Sequence, residues 1–143
     1  MTHADKGHYA NKHQGKKVDE KITSLIKSLG KNNNLTCAMA HKAAKELGVS
    51  PGEIGIQTDL LEYRITMCQI GLFGYDGGTK KIDPDFNIPS DMGEQIDIIN
   101  DNGRLSCLDC WNIAKDLKAK KIDVASACEK KEMRIKPCQL GAF

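Results

Sequence analysis

Residues 105–143 repeat residues 35–73 at a constant offset of 70, without a gap. Leu35-Thr36-Cys37 aligns with Leu105-Ser106-Cys107, and Ala44-Lys45-Glu46-Leu47 with Ala114-Lys115-Asp116-Leu117. Arg64-Ile65 and Cys68-Gln69-Ile70-Gly71 align with Arg134-Ile135 and Cys138-Gln139-Leu140-Gly141. Twelve of the 39 aligned positions are identical, where ordinary residue usage would give about two or three. A duplication of this kind limits the fold to two copies of one small unit, each with its own apolar face to bury. A length of 143 residues suits two such units.

The apolar spacing predicts what one copy contains. Val18, Ile22, Leu25, Ile26 and Leu29 form a single helical stripe, which recurs as Ile88, Met92, Ile96 and Ile99. Thr36 is a good N-cap for a second helix, whose inward face is Ala40, Ala43, Ala44 and Leu47. Gly48 suits a left-handed C-cap. Ser50-Pro51-Gly52-Glu53 then reads as a capping box with proline at the first helical position. This third helix is expected to run to about Glu62, with Ile54, Thr58 and Leu61 inward. Residues 64–73 read as a strand with a glycine turn. The second copy departs at three places: Lys118 replaces Gly48, Lys120-Lys121-Ile122-Asp123 lacks the Ser-Pro cap, and Pro137 interrupts the last strand. Residues 1–17 have no apolar period and read as a flexible basic tail. Residues 75–87 read as a linker rich in Gly, Asp and Lys.

The segment Ala44-Lys45-Glu46-Leu47-Gly48-Val49-Ser50-Pro51 resembles the helix-turn-helix of winged-helix regulators, in which small alanines let two helices approach and a glycine makes the turn. The chain from about residue 8 onward also resembles an uncharacterised bacterial family of duplicated units that close in Cys-Gln-Leu-Gly-x-Phe. The resemblance implies a mainly α fold with short β wings. Two tandem winged-helix-like units are expected, at 18–74 and 88–143. It also implies DNA binding or transcription regulation.

Charge decides where DNA contacts would come from. The net charge of +2 is too small to argue for nucleic acid by itself, but it is unevenly spread. Residues 1–34 hold seven basic and three acidic side chains, residues 35–74 three and four, and residues 105–143 eight and five, so any anion-binding surface is expected in the N-terminal tail or the second copy. In the first copy Glu53, Gln57, Asp59 and Glu62 are expected on the exposed side of the third helix, and Gln57 alone suits a base edge. In the second, Lys120, Lys121, Lys130, Lys131, Arg134 and Lys136 are available for phosphates. The expected DNA-binding residues are therefore Gln57, Lys120, Lys121, Lys130, Lys131 and Arg134. A protein–protein interaction module of the same fold is the alternative reading.

Six cysteines form the other candidate set. Cys37 and Cys68 recur as Cys107 and Cys138, while Cys110 and Cys128 are unique to the second copy. The recurring pairs are expected to be structural. In a winged-helix unit the extended piece before the second helix pairs with the strand after the third. That would bring Cys37 near Cys68, and Cys107 near Cys138, as small apolar filler in a core poor in aromatics. Cys107, Cys110, Cys128 and Cys138 are the set that could supply four thiolates to zinc or an iron–sulfur cluster, although a zinc ribbon needs two close pairs. Such a set, or the Cys107-x-x-Cys110 pair, would make the protein a metal or redox sensor, but no thioredoxin-like context surrounds that pair. A Cys37–His41 dyad could activate a thiolate, yet Trp111 stands at the His41 position in the second copy. His3, His8 and His13 could capture a metal, but a solvated tail is the preferred reading. No phosphate loop or hydrolase motif is present, so no catalytic residues and no cofactor are expected. No apolar run approaches the roughly 20 residues that span a bilayer, and no signal sequence is evident. The expected location is cytoplasmic, with reduced thiols. The two copies supply an internal pseudo-dimer, and a monomer is expected.

Overall fold

The computed structural model describes residues 8–142. Among these residues the chain is mainly helical with a few short strands. The helices are α1 (Glu20–Leu29), α2 (Cys37–Leu47), α3 (Pro51–Leu60), α4 (Ser90–Ile99), α5 (Cys107–Leu117) and α6 (Lys121–Lys130). The strands are β1 (Asn34–Thr36), β2 (Arg64–Thr66), β3 (Arg104–Leu105) and β4 (Arg134–Ile135). Each helix of the second set begins and ends 70 residues after its counterpart in the first. The chain divides into two compact units, one running up to Cys68 and including the segment from Gln139, the other spanning Gln69–Cys138.

In the first unit, local caps define the helices. The Asp19 carboxylate accepts from the backbone N–H of Lys21 and Ile22, relieving the unpaired donors that every helix start carries. Thr36 caps α2 by accepting from Met39 N–H at 3.1 Å, and Ser50 caps α3 by accepting from Glu53 N–H at 3.1 Å. The Glu53 carboxylate accepts a hydrogen bond from Gln57 Nε2 at 3.2 Å. Gly48 stops α2 with φ at 66°. Ile22 and Ile26 of α1, Ala40, Ala43 and Ala44 of α2, and Ile54 of α3 form the core. Val18, expected on the α1 stripe, is exposed and precedes the helix. Strands β1 and β2 are parallel, with Leu35 opposite Ile65 and Thr36 opposite Thr66.

The short parallel ladder differs from the strand and wing expected over residues 64–73. β2 ends at Thr66, and Met67 takes a positive φ of 50°, which an extended strand does not accommodate. Residues 69–73 then join the second unit, and residues 139–142 the first. In the first unit Leu140 and Ala142 are buried. The backbone there lies so close to α3 that a Cβ on Gly55 would meet the Leu140 carbonyl oxygen at 1.8 Å. Glycine is therefore required at position 55 by the approach of another backbone. In the second unit Ile70 is buried, and the Gly71 carbonyl accepts from Lys81 N–H at 2.8 Å. The divisions expected at 18–74 and 88–143 thus differ from the compact units by these exchanged segments.

The second unit is built in the same way. Met92 and Ile96 of α4, Cys110, Ile113 and Ala114 of α5, and the continuous run Val124–Cys128 of α6 are buried. Ser106 and Asp109 form the full capping box at the start of α5. β3 and β4 pair in parallel, Leu105 opposite Ile135. β4 stops before Pro137, whose carbonyl accepts from Cys107 N–H at 3.0 Å.

A strap precedes each set of helices and crosses the third one. In the first unit a short 3-10 turn, Tyr9–His13, packs on α3. Glu62 accepts from Tyr9 N–H at 2.6 Å and Ala10 N–H at 2.8 Å. His13 Nε2 lies 2.6 Å and Lys12 Nζ 3.3 Å from Asp59 Oδ2, and Tyr9 is buried. Residues 8–17 are thus a structured strap, not the expected tail; residues 1–7, with His3, lie outside the described residues. In the second unit residues 80–86 do the same for α6. Asp83 N–H donates to Ser126 Oγ at 2.8 Å, Lys80 pairs with Glu129 at 3.6 Å, and Lys130 Nζ donates to the Phe86 carbonyl at 3.1 Å. What read as a linker closes over a helix.

Candidate nucleic-acid interface

The straps determine which expected contact residues are available. Gln57 is 2% exposed. Its Nε2 donates to the Lys17 carbonyl at 3.0 Å and its Oε1 accepts from Asp19 N–H at 2.9 Å. The side chain is a tie between strap and helix, and Gln57 is withdrawn from the expected DNA contacts. Asp59 is equally buried beneath Lys12 and His13. The third helix of the first unit therefore offers no free reading face. α6 is buried over five consecutive residues, more than one full turn, so it too is a core helix.

The lysines of the second copy separate into groups. Lys131 Nζ pairs with Asp97 at 2.9 Å, and Lys130 is engaged with the strap. Arg134 lines a cavity of about 540 Å³ that also contains Glu129 and Glu132, so acids dilute its charge. Lys120 and Lys121 instead enter an open groove of about 870 Å³ formed by α5, the turn after it and the start of α6. Lys115 and Lys118 line the same groove, with Leu108, Trp111 and Asn112 along one wall. Among the described residues no acidic side chain lines it.

Local structure explains the convergence. Leu108, Trp111, Asn112 and Lys115 stand three or four residues apart or adjacent on α5, which puts them on neighbouring positions of one outer face. The inner face is occupied by Cys110, Ile113 and Ala114. The turn is tight because Lys118 adopts φ 53°, as Gly48 does at 66° in the first unit. Lys121 Nζ lies 4.1 Å from the Trp111 ring centre, a cation–π contact, and donates to Gln69 Oε1 at 3.0 Å. Leu108 is 51% exposed. Lys115, Lys118 and Lys120 are exposed and point a cluster of positive charge outward. At the matching positions the first unit has Lys45, Gly48, Ser50 and Pro51, one lysine where the second has four.

The thiols are distributed differently from a metal centre. Cys37, Cys68, Cys107, Cys110 and Cys128 are buried and Cys138 is half-buried. Among the described residues no group of three His, Cys, Asp or Glu side chains is placed to hold a metal ion. The set Cys107, Cys110, Cys128 and Cys138 is therefore not assembled as ligands. Cys37 follows β1 and Cys68 lies two residues beyond β2, and Cys107 N–H bonds the residue before Cys138, so the backbones around each recurring pair are neighbours. His41 is half-buried one turn after Cys37 on α2.

Sequence reading found Lys120 and Lys121 but missed Trp111, Asn112, Lys115 and Lys118 as their companions. The available signal was the chain's single tryptophan, followed one helical turn later by Lys115 and then by Lys118, Lys120 and Lys121, which replace Gly48, Ser50 and Pro51 of the first copy. No helix among the described residues is long and apolar enough to cross a membrane. No protein family, no curated protein and no solved structure matches the chain.

Proposed function

We propose that the protein binds nucleic acid, in keeping with a DNA-binding or regulatory role, and that the contact surface is the lysine groove of the second unit. The supporting observation is the convergence of Lys115, Lys118, Lys120 and Lys121 around Trp111 with no acid on the groove wall. A polyanion satisfies such a surface by releasing condensed counterions as lysines replace them at the phosphates. Asn112 at the groove edge adds a side chain able to pair with a base. The first unit, with its third helix strapped and its matching turn nearly uncharged, serves as scaffold. The contact face is thus the outside of α5 and the turn, not the third helix.

The test is a binding titration with a random-sequence duplex of about 25 base pairs. Replacing Lys115, Lys118 and Lys120 by Glu should weaken affinity by at least about 100-fold, because lost attractions become repulsions within a Debye length. Lys130→Glu, outside the groove, should change it by less than about threefold. Equal losses from the triple and the Lys130 variant would overturn the assignment. If the protein is instead an interaction module, an unchanged triple variant is the expected result.

A further inference from the structure

The lysine groove is lined by two unlike sets of residues. The turn between α5 and α6 contributes Lys118 and Lys120, both exposed. The outer face of α5 contributes Leu108, 51% exposed, with half-buried Trp111 and exposed Asn112. At the positions of Lys118 and Lys120 the first copy has Gly48 and Ser50; at those of Leu108, Trp111 and Asn112 it has Ala38, His41 and Lys42. The turn of the second copy therefore differs by two added cations, while its α5 face differs by more apolar and aromatic surface and one cation fewer. A site for phosphates alone is best served by cations at every position. An asparagine in place of a lysine, beside a leucine and a tryptophan, suits a ligand with apolar surface as well as phosphates. Lys121 shows how the indole is presented. Its Nζ sits over the ring at 4.1 Å from the centre, and Lys121 itself lines the groove. That face of the ring is thus turned to the groove and away from the core, where α5 places Cys110 and Ile113.

We propose that this groove takes single-stranded nucleic acid in preference to duplex, an inference that rests on the nucleic-acid reading above and names the form bound. The lysines hold the phosphates of one strand, and an unpaired base packs on Trp111 and Leu108. In a duplex the base faces are stacked on their neighbours and only the edges reach a protein, so the apolar side of the groove would stay uncovered. An unpaired base offers both its face and its pairing edge. The face takes the place of the Lys121 ammonium on the indole, and the freed ammonium goes to a phosphate, so each group keeps a partner. The pairing edge meets Asn112, whose amide both donates and accepts. Every base has a π-face, so the preference is for an unpaired strand and not for one sequence. The first copy, with Ala38, His41 and Lys42 on the matching face, lacks the apolar side of such a site.

The chain's single tryptophan is its own reporter, because a base stacked on indole quenches its emission. The full chain is titrated with a dye-labelled thymidylate strand of about 16 nucleotides, within the span that single-strand sites cover, and with a labelled duplex of the same length, both at about 150 mM salt. Anisotropy gives the two affinities. The strand is expected to bind at least about fivefold more tightly, the lower bound for one stacked base, and to quench Trp111 emission, which the duplex leaves unchanged. Trp111→His, which places the first copy's residue there, should abolish the preference and bring the two affinities to within about twofold of each other. If Trp111 served only the shape of the unit, both affinities would fall together with their ratio kept, and that result would overturn the proposal. A strand that binds no more tightly than the duplex, or binds with the emission unchanged, would overturn it while leaving the nucleic-acid reading in place. Binding of neither form would overturn both.

Discussion

Single residues show where the two copies agree in backbone and differ in chemistry. Gly48 and Lys118 take the same left-handed conformation, yet only glycine does so without steric cost. The lysine is tolerated because the helix end needs that turn, and its side chain then stands at the groove. Lys118→Gly should therefore stabilise the second unit by about 0.5–1 kcal/mol while weakening binding of duplex DNA. Urea unfolding together with a binding titration reads both effects. A variant that binds less tightly and is also less stable would show that Lys118 is not strained. The substitution of Gly48 was legible in the sequence, and so was its cost. The burial of Gln57 was not, because a glutamine on a helix looks the same whether it faces water or a strap from 40 residues earlier.

At the scale of elements, the helix order and caps were legible because they are local. Thr36 and Ser50 each accept from a backbone N–H at a helix start, as their positions imply. The straps were not legible, since their polar composition matches that of a loose tail and only long-range hydrogen bonds order them. The pairing of β1 with β2 was anticipated from the winged-helix resemblance, but its short length was not: the ladder stops at Thr66, a limit set by tertiary packing that propensity does not encode. The first strap depends on one carboxylate in particular. Glu62 accepts two backbone N–H groups, from Tyr9 and Ala10, whereas Glu132, at the aligned position, is exposed. Glu62→Ala should cost about 1–3 kcal/mol, the penalty for donors left without partners, and the amides of Tyr9 and Ala10 should lose hydrogen-exchange protection first. Glu132→Ala should stay within about 0.5 kcal/mol of the parent. Equal effects would mean that the carboxylate does not hold the strap.

Across the whole molecule, duplication has left two units with the same elements and unequal surfaces. The recurring cysteines, the capped helices and the parallel ladders belong to both. Four lysines converge around Trp111 in the second, where the first has Lys45 alone at the matching positions, and that asymmetry carries the proposed function. The charge count pointed to the second copy or the N-terminal tail, and the helix-turn-helix resemblance pointed to a third helix, which packing has taken into the core. The most direct measurement is the affinity for random duplex DNA across a series of salt concentrations. Four lysines at phosphates predict that the logarithm of affinity falls with the logarithm of salt at a slope of about −3 to −4, or about 100-fold between 50 and 200 mM. A slope near zero, or no binding at the lowest salt, would contradict the account.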